Sequence, residues 1–359
     1  MVYLHHFNPF EAYKLENNSL GHFGYAVCNE LYVGVTVFFC LSGFLIAHRY
    51  LNRVEFTKEW AFNYFRNRFA RIYPMYFLLT LLTFLICLQN PGSNYIGPSN
   101  VFTTQSETIL IFFLNISFLR GFSDTIKYTG IAQGWSLTVE ETFYFCAPII
   151  LWLVAGNKKW LLFFLFILPA LGTLFVLIFE RIPMLGVMDN HMFMWSYTFF
   201  GRCSEFLAGI FLALVLRSAP VLTRYRMFTW VGTVLIGACV VLLGLVKGPN
   251  AYGNLTYEGV LINNLLLASV IVLFFYGLLT EKTMLQRLLS SEPLQLLGKS
   301  SYVFYLIHMS FISMWIDENL PNFPIGKFLL LNLLAIGIYK FAEEPINGIL
   351  RKKLVYRRR

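Results

Sequence analysis

WLLFFLFILPALGTLFVLIF, residues 160–179, is an uninterrupted run of twenty residues without one charge. As a helix rising about 1.5 Å per residue it covers about 30 Å, the thickness of a bilayer's hydrocarbon core. Charges return at once on both sides, with Lys158 and Lys159 before it and Glu180 and Arg181 after it. The rest of the 359-residue chain follows the same pattern: 57% hydrophobic, 13% charged and 37 phenylalanines, with a mean hydropathy of +0.61. Soluble domains carry about a quarter charged residues, so the composition implies an all-α polytopic membrane protein.

Apolar runs read as membrane helices at 31–50, 72–89, 136–155, 160–179, 197–216, 228–246, 259–279, 301–316 and 327–348. The run at 107–119 (ETILIFFLNISFL) is shorter and carries Asn115, which predicts an interfacial or re-entrant segment. No soluble domain, repeat or low-complexity segment remains. Residues 1–350 read as one transmembrane domain and 351–359 as a basic cytoplasmic tail.

The cations test the topology, because Lys and Arg accumulate in cytoplasmic loops. With residues 1–6 placed as the outer end of an additional, truncated first helix, the loops 49–71, 156–159, 217–227 and 280–300 and the tail from 349 face the cytoplasm. These segments hold twenty of the 28 Lys and Arg, the outer segments hold six, and Arg202 and Lys340 fall inside spans. A full crossing by 107–119 would invert that bias. The net charge of +9 is therefore topological, and no nucleic-acid partner is indicated. The expected location is the inner (cytoplasmic) membrane, with the C-terminus inside.

The N-terminus, MVYLHHFNPF, lacks the basic segment, apolar run and cleavage site of a signal peptide. His5 and His6 then stand at the outer mouth of the first helix. Histidine exchanges a proton near neutral pH and can carry an acyl group, although an interfacial pair of solvated histidines would look the same. Four further polar groups stand out in apolar surroundings. In GWSLTVEETFYF (134–145), Ser136 is a possible N-cap. Glu140, followed by Glu141, is either an anion at the helix start or a carboxylate that orients a histidine or a sugar hydroxyl. Trp135 suits a sugar ring or an aromatic belt. In GRCSEFLAG (201–209), Arg202 and Glu205 share a helix face as an ion pair or a site lining. His308 lies near mid-span, about 10 Å from the inner end. Arg66, Arg68 and Arg71 form an inner basic cluster that fits either a phosphorylated ligand or a cytoplasmic loop. Six scattered cysteines, with no CxxC, give neither a disulfide framework nor a zinc site. The absence of a Walker motif or dinucleotide glycine pattern speaks against phosphate-driven pumping.

GVTVFFCLSGFLI (34–46), RFARIYPMY (68–76), WSLTVEETFY (135–144), GRCSEFLAG (201–209), GKSSYVFYLIH (298–308) and EEP (343–345) occur in this order. Together they resemble the membrane acyltransferase 3 family, which includes bacterial polysaccharide O-acetyltransferases. The resemblance implies ten membrane helices and transfer of an acyl group, usually acetyl, from acyl-CoA as co-substrate to a hydroxyl of an extracytoplasmic carbohydrate. It implies no bound cofactor and no metal. The family's catalytic histidine falls on His5, with His6 as the alternative, its glutamate on Glu140, and its acyl-CoA arginines on Arg68 and Arg71. Trp135, Arg202, Glu205 and His308 would line the acceptor site or hold it together. The family's arginine about ten residues before the histidine has no counterpart here, which suggests a start codon assigned too late or a degenerate, inactive copy. An esterase-like domain fused to some relatives is not found after the last span, which leaves room for a separate periplasmic partner. A glycolipid or polysaccharide transporter or flippase is the rival reading, but it predicts an internal repeat symmetry that the sequence lacks.

Overall fold

The computed structural model describes residues 1–15, 20–89, 105–182, 185–218, 227–320 and 324–352. Most of the expected inner loop, residues 219–226, and most of the expected tail, residues 353–359, lie outside this set. Among the described residues the regular elements are helical, with a single isolated bridge between Ser123 and Val187. Among the described residues, eight helices are long and apolar enough to cross a membrane: Leu20–Tyr50, Lys58–Gln89, Ala132–Gly156, Trp160–Phe179, His191–Ser218, Phe228–Val246, Tyr257–Thr280 and Pro324–Arg351. The protein is an all-α polytopic membrane protein.

The chain divides into two units, the first made of Met1–Val54, Phe145–Pro183 and Met188–Leu289. Its central crossing joins the helices Gly34–Tyr50 and Phe199–Ser218 at backbone contact. A Cβ at Gly43 would lie 2.1 Å from the Phe206 carbonyl oxygen, and one at Gly209 would lie 2.1 Å from that of Cys40. Lipid tails are as apolar as leucine, so helices in a bilayer associate through such close packing rather than through water exclusion. Phe39 and Phe206 stack beside the crossing with centroids 4.7 Å apart. The Trp160–Phe179 helix buries only the stripe Phe164, Leu168, Gly172 and Val176. It leaves Leu162 and Phe166 65% and 69% exposed, as a lipid-facing helix should. Within the Tyr257–Thr280 span, the segment Ile262–Leu267 is a π-helix. Asn263 and Asn264 are both buried within it. The Glu281 carboxylate caps the Phe228–Val246 helix, accepting from the Phe228 and Thr229 amides at 2.9 and 3.1 Å.

The second unit comprises Glu55–Tyr144, Met184–Val187 and Ser290–Arg359. Here two sequence expectations need correction. The helix expected from residue 72 begins at Lys58 and runs unbroken to Gln89. Arg66, Arg68 and Arg71 are thus helical rather than part of a loop, and Arg68 and Arg71 share a face at i and i+3. The span expected at 301–316 is not one helix but two, Glu292–Ile307 and Phe311–Asn319. Ser310 caps the second piece by accepting from the Ile312 amide at 3.2 Å. His308 sits in the break, fully buried, with Nδ1 bonded to the Tyr305 carbonyl at 2.7 Å.

The short apolar run forms the helix Gln105–Ile116. Its twelve residues reach only about 18 Å, less than the core of a bilayer. Asn115 is buried at its end, donating to Ile111 and Thr129 at 2.9 and 3.0 Å. Gly130, at φ +65°, comes so close that a Cβ there would be 2.6 Å from Asn115 Oδ1.

Candidate active site

In the first unit, Val2–His6 forms a single helical turn and a half whose Tyr3 is buried. Gly34 makes room for it: a Cβ there would meet Val2 at 2.9 Å. His5 is half-buried and His6 exposed, with ring centroids 4.6 Å apart. The His5 ring packs against Tyr252 at 5.0 Å and Tyr32 at 5.7 Å. Its Nδ1 lies 2.6 Å from the backbone carbonyl of Asn29. A carbonyl can only accept, so Nδ1 carries the proton and Nε2 presents its lone pair. Beneath this pair, Glu30 is fully buried and accepts from the Asn29 side chain at 3.1 Å and the Gly253 amide at 3.0 Å. Tyr32 accepts from the Asn254 amide at 3.0 Å. Glu30 and Tyr32 thereby tie the Leu20–Tyr50 span to the 253–254 turn and hold the histidine's platform rigid.

Deeper in the same unit, Arg202 donates from Nε and Nη2 to Glu205 at 3.0 and 2.8 Å and from Nη2 to Thr36 at 2.8 Å. Thr36 donates on to Asn263 at 2.9 Å, and Asn263 returns to Glu205 at 3.2 Å. The guanidinium also lies 4.9 Å from the Phe39 ring centroid. This closed ring crosses three helices and leaves Glu205 Oε2 as its one oxygen without a hydrogen-bond partner among the described residues.

In the second unit, Arg68 lies over the Tyr144 ring at 5.6 Å and Arg71 over that of Tyr302 at 5.7 Å. Arg71 also pairs with the buried Glu343 at 2.6 Å while its own side chain stays 37% exposed. Tyr144, anchored through its carbonyl by the Tyr64 hydroxyl at 3.0 Å, donates to Glu140. The helix Trp135–Gly156 has no acid in its first turn. Glu140 therefore lies too far in to cap the helix, and its partner is a tyrosine one turn on. Ser136 is not the N-cap either, because a 3-10 turn, Ala132–Gly134, precedes the helix. Its hydroxyl meets that of Tyr305 at 2.6 Å. Trp135 is half-buried at the helix start. Arg120, from the 3-10 turn Leu119–Phe122, is fully buried against Gly134 and Tyr76, with Nη2 donating to the Ile131 carbonyl.

Comparison with known proteins bears on what these groups do. A family described as an acyltransferase domain, acyltransferase 3, matches residues 1–339. The chain belongs to the acyltransferase 3 family. It is similar to the peptidoglycan O-acetyltransferase OatA of Listeria monocytogenes, 24% identical over 351 residues, covering 92% of this chain and 54% of that protein. To the O-acetyltransferase OatA of Staphylococcus aureus it is 25% identical over 345 residues, covering 88% of this chain and 52% of that protein. The chain thus spans about half the length of the curated relatives it matches. No solved structure matches it.

Within this acyltransferase 3 chain the structure brings Arg68 and Arg71 together with Tyr144, Tyr302 and Glu343, and it joins Arg202 to Glu205. His5 belongs to the first unit, whereas Glu140, Trp135 and His308 belong to the second. Sequence reading missed Asn29, Tyr32 and Tyr252 as the histidine's neighbours and Glu30 as the carboxylate that ties Asn29 to Gly253. Glu30 carried a legible signal, a carboxylate inside AVCNELYVGV (26–35). A backbone carbonyl, as at Asn29, leaves no trace in sequence.

Proposed function

We propose that this chain is an integral membrane O-acyltransferase that moves an acyl group, acetyl foremost, from acyl-CoA to a hydroxyl of an extracytoplasmic carbohydrate. The relatives named peptidoglycan O-acetyltransferase support a cell-wall glycan as that carbohydrate. The observation that carries the proposal is the Asn29 carbonyl 2.6 Å from His5 Nδ1, because it leaves Nε2 as the base. Nε2 takes the proton of the acceptor hydroxyl while that oxygen bonds to the acyl carbon. The bond from acyl carbon to leaving group then breaks, and the departing group recovers the proton, a general acid–base cycle. Arg68 and Arg71 supply guanidinium forks for the phosphates of CoA. Their tyrosine backing holds those forks in place.

The excess of cations in the expected inner loops supports a cytoplasmic membrane location with the C-terminus inside. A reporter fused after Arg359 should read as cytoplasmic, and an extracytoplasmic signal would refute that orientation. The activity is tested with the purified protein in lipid, given acetyl-CoA and a peptidoglycan-derived oligosaccharide. Acetylated sugar and free CoA thiol should appear in equal amounts. A transporter or flippase would release no thiol.

A further inference from the structure

The surface beside the histidine holds a second feature that the transfer chemistry does not use. A cleft of about 870 Å³ opens between the start of the Leu20–Asn29 helix and the 247–252 loop. Its walls include Lys14, His22, Tyr25, Asn29, Lys247 and Tyr252. Two of these are the histidine's own supports: the Asn29 carbonyl holds His5 Nδ1, and the Tyr252 ring packs 5.0 Å from the imidazole. The cleft therefore shares two lining residues with the surroundings of the base.

Its electrostatics are one-sided. Lys14 and Lys247 approach the same ring, with their ammonium nitrogens 5.8 and 5.9 Å from the centroid of Tyr25. No carboxylate lines the cleft among the described residues. Lys14 is shared with Glu11 at 3.2 Å, on the solvent side. That hydrogen bond, with Tyr25 adding to it, holds the Lys14 ammonium's pKa above its ordinary value. Glu30 lies buried below, with its oxygens taken by Asn29 and Gly253. Lys247 makes no ion pair among the described residues. An ammonium beside an aromatic floor, with no acid in the lining, suits a ligand that brings both a ring face and a negative charge.

We propose that this cleft is the acceptor subsite and that it selects an acidic glycan, seating a carboxylate or phosphate of the sugar chain at Lys247 and Lys14 and a sugar ring on the half-buried Tyr252. A hydroxyl of the next sugar then meets His5. This rests on the O-acyltransferase reading for its chemistry, but the charge selection is independent of it.

The test compares a muramic-acid disaccharide with its methyl ester, which removes only the charge. Both are titrated against the protein in phosphatidylcholine nanodiscs, first for binding and then for acetyl transfer. The wild type should prefer the acid at least tenfold. Lys247→Gln should reduce that preference about threefold, and Lys14→Gln together with it should abolish the preference. Lys247→Arg should restore it, which rules out misfolding as the cause. Equal binding of acid and ester by the wild type, or a preference untouched by Lys247→Gln, would overturn the subsite. If phosphatidylglycerol in the nanodiscs displaces the disaccharide through Lys247, the site belongs to lipid and the proposal fails. Acid-selective binding without any transfer would refute the acyltransferase reading and leave the subsite standing.

Discussion

Replacing His5 separates its two parts in the structure, one in holding the local fold and one in catalysis. Alanine removes the imidazole and also leaves the Asn29 carbonyl without its donor. At a half-buried position water reaches that carbonyl, so the stability cost is at the low end of the unsatisfied-acceptor range, about 1 kcal/mol. Glutamine is the sharper probe. Its amide donates to the same carbonyl in place of Nδ1–H, now 2.6 Å away, but it cannot accept a proton at neutral pH. A positioned general base contributes about 10²–10⁴ in rate. At about 1.36 kcal/mol per decade this is about 3–5 kcal/mol of barrier. His5→Gln should thus unfold at the wild-type temperature while losing at least a hundredfold in thiol release from acetyl-CoA with acceptor present. His6 is exposed and, as the next helical position, points about 100° away, so His6→Ala should stay within about threefold of wild type. The reasoning fails if His5→Gln keeps more than a tenth of the activity. It fails equally if His6→Ala is as inactive as His5→Ala.

Arg71→Ala should raise the apparent KM for acyl-CoA by about tenfold to a hundredfold, the worth of about 1.5–3 kcal/mol for a hydrogen bond to a charged group, with little effect on the acceptor KM. Glu343→Gln should leave the acyl-CoA KM within about threefold while lowering the thermal midpoint, and matching KM losses in the two variants would reduce Arg71 to a structural partner of Glu343. Gly43→Ala places a methyl carbon 2.1 Å from the Phe206 carbonyl oxygen, so the helices must part by about 1 Å at a cost of about 1–3 kcal/mol; an unchanged midpoint in thermal unfolding would contradict the crossing. Arg202→Met strands Glu205 in the membrane interior and should destabilise by about 3–5 kcal/mol, whereas Arg202→Met combined with Glu205→Leu should recover most of that loss. Equal destabilisation by the single and double variants would show that the ring of hydrogen bonds, rather than the stranded charge, carries the energy.

The membrane helices were legible in the sequence because a helix in lipid satisfies its own backbone and needs only length and apolarity, both local properties. Trp160–Phe179 has the same bounds in the structure as in the sequence run, and the family motifs were readable for the same reason, as short local strings. The helix break at His308 was not legible, since the run 301–316 stays apolar while its backbone turns at Ser310. Nor was the continuation of the Lys58–Gln89 helix through the arginine cluster, because charged residues are good helix formers and polarity alone does not mark a loop. Side-chain partnership was the largest gap. His5 bonds to a residue 24 positions on, Arg71 to one 272 away, and Thr36 to one 227 away. Each buried polar group in such a bundle must find a hydrogen-bond partner, and for these three it stands far along the chain. Which helix stands opposite depends on where glycines such as Gly43 and Gly209 let backbones meet. The sequence by itself determined that polar groups lie within the membrane helices. Only the packed structure decided which of them face one another, because that choice depends on interhelical distances a linear pattern does not contain.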